Sequence, residues 1–219
     1  MKLIKEDSLR IALVQQPPVY LNLAESMLRL SELAREAVAE GAKIVVFPES
    51  WLAGYPVWLD YAPEAGIWDH PAAKALYRLL SENAVELEGD EDVKLEALSA
   101  ELGAWLIIGS NERKGNTVYN TILQYTPKKD RLIHRKLTPT YTERLVWGSG
   151  DGSTLDILET EYGNIGALTC WEHWMPLLRA AYHAQQEVIH IAQWPYVKEL
   201  HQNACRNYAF EGQCFVLAS

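Results

Sequence analysis

An α/β protein, with sheets packed on each other and helices outside, is the fold class the sequence predicts. Three observations predict it. Strand-like and helix-like segments alternate along the chain, and two hairpin patterns interrupt the simple strand–helix–strand rhythm. Neither repeats, low-complexity tracts nor a linker divide the 219 residues, so one domain over 1–219 is expected.

The elements follow in order. "LRIALVQQ" (9–16) reads as a strand closed by Pro17 and Pro18. Asn22 has the character of an N-cap, with Glu25 three residues on, as in a capping box. Leu23, Met27, Leu30, Ala34 and Ala37 then form one apolar helical stripe ending near Gly41. "AKIVVFPE" (42–49) is a β-branched run expected to be a buried strand, followed by a long loop over 50–70 rich in Trp, Tyr, Pro and Gly. Helical patterns cover 72–83 and 91–102, before a strand at "AWLIIGSNE" (104–112). Residues 118–137 read as a hairpin around Pro-Lys-Lys-Asp, residues 138–153 as a second long loop, and 153–170 as another hairpin bending at Tyr-Gly-Asn. A helix at 174–185, a strand at 187–194, a helix near 197–211 and the strand "QCFVLAS" complete the pattern. Ending on a strand leaves an unpaired sheet edge, which predicts that a C-terminal part is missing.

The composition is globular, at 48% hydrophobic and 22% charged. A net charge of -9 argues against nucleic acid and anionic membrane surfaces as partners, because both attract basic patches. Cys170, Cys205 and Cys214 form no CxxC pair and leave an odd thiol, which suits a reducing cytoplasm. The start, "MKLIKEDSLR", lacks the apolar stretch of a signal peptide, and runs such as "IVVF" are too short to span a bilayer.

Three chemically capable residues share one placement. Glu49 lies just past the strand 43–47, Lys136 at the end of a hairpin arm, and Cys170 at the end of the strand 164–169. In α/β architectures functional groups gather at strand ends, where loops are free to build a pocket. A thiol near its reference pKa of about 8.5 is mostly protonated at neutral pH and needs a base. A carboxylate whose pKa is raised by burial can take that proton, and a lysine can stabilise the charge that develops on the attacked atom. Cys205 and Cys214, in a helical and an apolar strand pattern, read as small buried hydrophobes. His173 and Glu172 adjoin the thiol, but neighbouring side chains point apart, so both read as supporting structure. No histidine spacing here matches a metal site, and "GSGDGS" (148–153) lacks the ending of a phosphate loop.

At this point the segments "VVFPES", "HRKLTPTYTER" and "TCWEHW" resemble, in order and spacing, the three signatures of the nitrilase superfamily of carbon–nitrogen hydrolases. "GYPVWLD", "YNT", "VWGSGDG" and "YAFEGQCFVLAS" extend the resemblance over nearly all of the chain, and "CWEH" followed by Pro176 resembles the true nitrilase branch. The resemblance implies a four-layer α-β-β-α sandwich, here missing its C-terminal part. It implies Glu49 as general base, Lys136 as electrostatic stabiliser, Cys170 as nucleophile and Glu143 as a second acid. The Trp171 backbone N–H would face the developing charge. Tyr55, Trp58, Tyr141, Trp171, Trp174 and Trp194 are the substrate-binding residues it points to, and aromatic lining suits an apolar nitrile substituent. Thr142 stands where many relatives carry a bulkier residue. No metal or organic cofactor is implied.

The expected reaction converts a nitrile to its carboxylic acid and ammonia through a thioimidate and a thioester, in a homo-oligomer (a dimer or larger spiral) carried over from the family. Two alternatives stay open: an amide hydrolase or cyanide-hydrating enzyme with the same machinery, and a non-catalytic assembly subunit or inactive fragment.

Overall fold

In the computed structural model, which describes residues 8–219, the chain forms two sheets. The first takes the order β1 (Ile11–Leu13), β2 (Ile44–Leu52), β3 (Trp105–Lys114), β4 (Thr117–Thr126), β5 (Asp130–Arg135); the second runs β6 (Leu158–Thr160), β7 (Gly163–Thr169), β8 (Ile189–Gln193), β9 (Phe215–Ala218). The helices are α1 (Leu23–Ala39), the single turn α2 (Trp58–Tyr61), α3 (Pro71–Glu82), α4 (Asp90–Leu102), α5 (Pro176–Ala184) and α6 (Glu199–Gly212).

Side-chain alternation along the strands builds the layers. Ile44 and Val46 of β2, with Ile107 and Ile122, face Ile165, Ala167, Ile189 and Ile191 of the second sheet in one buried cluster. The intervening Val45 and Phe47, with Leu106, Ile108 and Leu123, face Leu30 and Ala34 of α1 and Leu95 and Leu98 of α4. On the far side Leu168 packs against Leu178 and Tyr182 of α5 and Tyr208 of α6. This is the α-β-β-α order. Burying each large aliphatic side chain contributes about 1.5–3 kcal/mol, and both the inter-sheet cluster and the cluster under α1 and α4 are built of them.

Local signals set the helices. Asn22 caps α1 by accepting the Glu25 N–H at 3.1 Å, and the Leu23, Ser26, Leu30, Ala34 face is buried. The helix is closed off at Gly41, at φ +93. Among the described residues no helix is long and apolar enough to cross a membrane.

Several expectations need correction. The strand expected over 9–16 is regular only over Ile11–Leu13, although Val14 N–H still pairs with Val46 O at 2.9 Å. The loop expected over 50–70 begins inside β2 and then contains α2 and a 3₁₀ turn, Pro63–Gly66. The loop over 138–153 contains a second such turn, Tyr141–Leu145. The hairpin expected over 118–137 forms as β4 and β5, and β4 pairs on its other side with β3 through a tight turn at Gly115 (φ +60), which extends the hairpin to a three-stranded meander. The second hairpin is short, its first arm covering only Leu158–Thr160.

One irregularity matters for the site. The β2–β3 register shifts between Phe47 and Leu52, and Ser50 sits at φ +49, so Pro48 to Trp51 bulge out of the sheet. Gly109 of β3 lies directly beneath: a Cβ there would stand 2.0 Å from Pro48 O and 2.7 Å from the Glu49 Cα. Those neighbours are backbone and cannot swing aside. Gly109→Ala is therefore expected to cost about 1–3 kcal/mol from overpacking, read as a lower midpoint in urea unfolding, and to displace Glu49.

Candidate active site

Glu49 rides on the β2 bulge, 3% exposed. Its Oε1 accepts from Asn120 Nδ2 at 2.7 Å and from Lys136 Nζ at 3.2 Å, while Oε2 has no partner among the described residues. The bulge is fastened on both sides: Ser50 Oγ donates to Asn120 Oδ1, and Gln193 Nε2 of β8 donates to Phe47 O at 2.7 Å across the sandwich.

Lys136 follows β5 and points into the same interior. Its backbone N–H pairs with Asn120 O, and its Nζ reaches Glu143 Oε2 at 2.7 Å. Gly150 packs onto this strand end so closely that a Cβ would stand 2.5 Å from Arg135 O, which is the structural use of the turn-rich "GSGDG" segment. Glu143 is set by the 3₁₀ turn over Tyr141–Leu145, where its Oε2 also accepts the Thr140 N–H at 2.6 Å and its Oε1 accepts the Tyr55 hydroxyl at 3.0 Å. The three neighbouring cations separate cleanly. Arg135 pairs with Glu112 and lies over Tyr119, His134 meets Glu172, and only Lys136 enters the Glu49–Glu143 site.

Cys170 opens a 3₁₀ turn, Cys170–Trp174, immediately after β7, and its backbone is at φ +52. A non-glycine residue in that region costs of order 1–3 kcal/mol and persists only where its surroundings hold it. Glu172 supplies much of that hold. Its Oε2 accepts the Thr169 N–H at 3.0 Å and its Oε1 the Leu137 N–H at 2.8 Å, tying the thiol's turn to the residue after Lys136. His173 accounts for the rest, its Nδ1 on Cys170 O at 2.7 Å and its ring stacked on Trp194 at 4.6 Å. Both residues thus act as structure around the thiol. Ligand atoms of Glu49, Glu143 and Cys170 all lie within 4.8 Å of one another. Lys136 already supplies the positive charge that this thiol and its two carboxylates share.

Burial pushes the Glu49 carboxyl up to about 7; Lys136 pulls it down and Glu143 pushes it further up. Burial likewise raises the Cys170 thiol well above its ordinary value, reinforced by Glu49, against the opposing pull of Lys136 and the Trp171 N–H. Burial works against the Lys136 ammonium, but Glu49, the thiol and Glu143 outweigh it and raise its pKa. At neutral pH the site therefore holds a thiol, an ammonium and a carboxylate poised to gain a proton.

The aromatic residues divide. Tyr55 touches Glu143, and Trp194, 1% exposed, walls a cavity of about 240 Å³ beside Glu49 together with Tyr55, Tyr20, Pro17 and Pro195. Trp58 packs against the satellite core of Leu59, Leu80 and Trp147. Trp171 is half-exposed with its ring 4.7 Å from that of Trp174, and Tyr141 is 82% exposed. Thr142 lies at the surface hollow beside α2. A larger hollow, about 750 Å³, lies at the opposite end of the sandwich by Trp105 and Lys128, remote from these groups. Asn120 and the backbone partners of Glu172 were not read from sequence; a buried amide in β4 is the signal for the first, and Gln124 shares it.

A carboxyl group from the β2 bulge, an ammonium from the end of β5 and a thiol from the end of β7 thus converge, the kinds of group that a thiol hydrolase site requires. The carbon-nitrogen hydrolase family profile matches residues 10–219, and the chain belongs to that family. It is 38% identical to an aliphatic nitrilase of Sinorhizobium fredii over 96% of this chain and 68% of that enzyme. It is also 37% identical to a bifunctional nitrilase/nitrile hydratase of Lupinus angustifolius, over 97% of this chain and 61% of that one. Against these two relatives the chain therefore spans 61% to 68% of their length. The fold is shared with a CN-hydrolase superfamily protein of Xanthomonas campestris that carries an arsenic adduct in its active site (TM-score 0.72, 19% identity, 96% of this chain and 74% of that one). An amidase of Nesterenkonia sp. is equally similar (TM-score 0.73, 16% identity, 99% and 77%).

Removing the ammonium leaves two carboxylates face to face in a buried site. Lys136→Met is expected to destabilise the protein by about 3–5 kcal/mol at neutral pH. The loss shrinks toward about pH 5, below the raised value of Glu49, where that carboxyl carries a proton and no charge. Chemical denaturation at the two pH values checks both parts.

Proposed function

We propose that this chain, as a single carbon–nitrogen hydrolase domain, is a nitrilase that converts an organic nitrile to its carboxylic acid and ammonia. What carries the proposal is the buried Glu49–Lys136–Glu143–Cys170 cluster, together with curated relatives named as nitrilases.

Cys170 Sγ attacks the nitrile carbon, forming the C–S bond as one C–N π bond breaks. The thiol proton passes to Glu49 Oε2, the oxygen left unpartnered, and from there to nitrogen, giving a thioimidate. Lys136 Nζ and the Trp171 N–H stabilise the charge on nitrogen as it forms. Water adds, the C–N bond breaks, ammonia leaves, and a second water cleaves the thioester to the acid and the free thiol. Glu143 keeps the ammonium aimed between the two carboxylates. The cavity walled by Tyr20, Tyr55 and Trp194 suits an apolar substituent on the nitrile. Of the sequence-derived substrate contacts, Tyr55 and Trp194 have the best support from position.

The same proposal includes a homo-oligomer and a reducing, cytoplasmic setting. Leu177 of α5 and Leu200 and Phe210 of α6 are exposed, an apolar surface of the kind subunits cover, and all three cysteines are free thiols.

The test is ammonia release from aliphatic, arylaliphatic and aromatic nitriles, with matching amides and cyanide as competitors. Turnover of nitriles to acid, lost by at least about 10³-fold in Cys170→Ala, is the expected outcome. Ammonia release that survives the substitution sinks the mechanism, and faster turnover of amide or cyanide reassigns the substrate.

A second expectation concerns pH. A base held near 7 must be unprotonated to act, so kcat/KM should rise as pH passes upward through about 7, not near the ordinary glutamate value. A pH–rate profile with its acid limb near about pH 4 would exclude Glu49 as the base.

A further inference from the structure

Behind the thiol's turn lies a second set of buried ionisable groups that the reaction does not use. His173 Nδ1 meets Cys170 O at 2.7 Å, His173 Nε2 meets His190 Nε2 at 3.0 Å, and His190 Nδ1 meets Glu187 Oε2 at 2.9 Å. The far oxygen, Glu187 Oε1, accepts from Tyr208 at 2.5 Å and from His183 Nδ1 at 3.0 Å. His173, His190 and Glu187 are all buried. The room for this chain is built in: a Cβ on Gly166 of β7 would stand 2.1 Å from Glu187 Oε2.

We infer that Glu187 and His190 are positioning residues for the nucleophile: with His173 they hold an extra proton in a buried hydrogen-bond chain that ends on the Cys170 carbonyl and fixes the turn presenting Sγ and the Trp171 N–H. The inference rests on Cys170 being the nucleophile, as proposed above.

Donor counting leads there. Three gaps in series, carbonyl to His173, His173 to His190 and His190 to Glu187, each need one proton. Two neutral imidazoles and a carboxylate bring only two, so without a third proton one gap sets two lone pairs against each other. Because Cys170 O can only accept, His173 Nδ1 carries its hydrogen. Burial, then His190, holds the His173 ring down to about 3, so that ring is neutral and its Nε2 accepts from His190 Nε2–H. Burial also keeps His190 well below its ordinary value, which leaves its Nδ1 as an acceptor. The third proton then belongs on Glu187 Oε2. Burial raises that carboxyl to about 7 despite the opposing hydrogen bonds from Tyr208 and His183.

The other ionisable groups around the chain are His183 and Tyr182 of α5, Tyr208 and Glu211 of α6, and Cys214 just before β9. Glu172, His134 and Lys136 act from the catalytic side. His183 also faces Glu211 at 3.5 Å, which Arg179 pairs at 2.6 Å, so the outer end of the chain is itself anchored.

The sign of the pH effect follows. A carboxyl whose folded pKa lies above its unfolded value contributes stability at acid pH that is lost as pH rises through the folded value, here about 7. Glutamine reproduces the protonated acid: its carbonyl accepts from Tyr208 and His183, and its amide donates to His190 Nδ1.

Thermal unfolding of the unmodified protein and Glu187→Gln should give equal midpoints near about pH 5. The variant should be ahead by about 5 °C near about pH 8.5. Alkylation of Cys170 by iodoacetamide, followed by peptide mass mapping, should slow about tenfold in Glu187→Ala and recover in Glu187→Gln. ¹⁵N-histidine NMR of the unmodified protein should show His173 protonated on Nδ1 and His190 on Nε2, and this measurement decides the matter if a variant does not fold. A variant no more stable than the parent at alkaline pH, an alkylation rate that does not fall in Glu187→Ala, or a neutral His190 protonated only on Nδ1 overturns the inference. None of these readouts needs a nitrile, so they stand or fall separately from substrate turnover.

Discussion

Everything distinctive about this molecule is arranged around one buried ammonium. Lys136, 1% exposed, lies 3.2 Å from Glu49 and 2.7 Å from Glu143 with no room for bulk water around it. A charge in such a place is tolerated only when paired and hydrogen-bonded, and here both conditions are met by groups from three different parts of the chain. The β2 bulge delivers Glu49, the strand end delivers Lys136, and the Thr140-capped turn delivers Glu143. The irregular backbone at each place is the geometric requirement of bringing these charges together. Gly109 leaves room for the bulge that carries Glu49, and Gly150 leaves room for its loop to close on the Arg135 and Lys136 carbonyls.

With one cation among two carboxylates, full ionisation leaves the site net negative, and burial makes that costly. The site relieves the cost through Glu49, whose carboxyl is raised to about 7 and stands ready to gain a proton. Burial, reinforced by the same imbalance, keeps Cys170 a thiol at rest, since a thiolate would add a further buried negative charge beside Glu49. In the proposed reaction, proton transfer from sulfur to Glu49 is therefore coupled to attack: charge leaves the sulfur only as it arrives on the substrate, where Lys136 can meet it.

The sequence made the layers legible because layers are local. The capped stripe from Leu23, the β-branched run of β2 and the alternation in β4 and β5 each announce their own period within a dozen residues. The convergence of Glu49, Lys136 and Cys170 was legible too, from segments that resemble a family, although Glu49, expected just past its strand, lies on a bulge inside β2. What stayed hidden depends on pairing across the chain. That β3 and β4 pair is decided by a turn at Gly115, whose bordering runs read equally well as separate elements. The short turns inside the two long loops are held by tertiary contacts such as Tyr55 to Glu143, not by helical periodicity. Asn120 looks like any strand amide until the bulge places Glu49 over it, and Glu172 looks like a loop acid until Leu137 and Thr169 point their N–H groups at it.

The neighbours of Cys170 acquire their meaning from the same logic. A nucleophile at φ +52 sits in a conformation the backbone would leave if released. Two buried networks grip the turn from opposite sides. On one side Glu172, held charged by His134 and two backbone N–H groups against the cost of its burial, fixes the turn to the Lys136 strand. On the other, His173 takes the carbonyl and passes the load through His190 to Glu187. The first network is ionic, and the second, as inferred above, is a run of neutral donors and acceptors. In the proposed reaction the thiol stays protonated at rest and loses its proton only during attack, which needs its geometry settled beforehand, and the two anchors grip its turn from opposite sides to provide that.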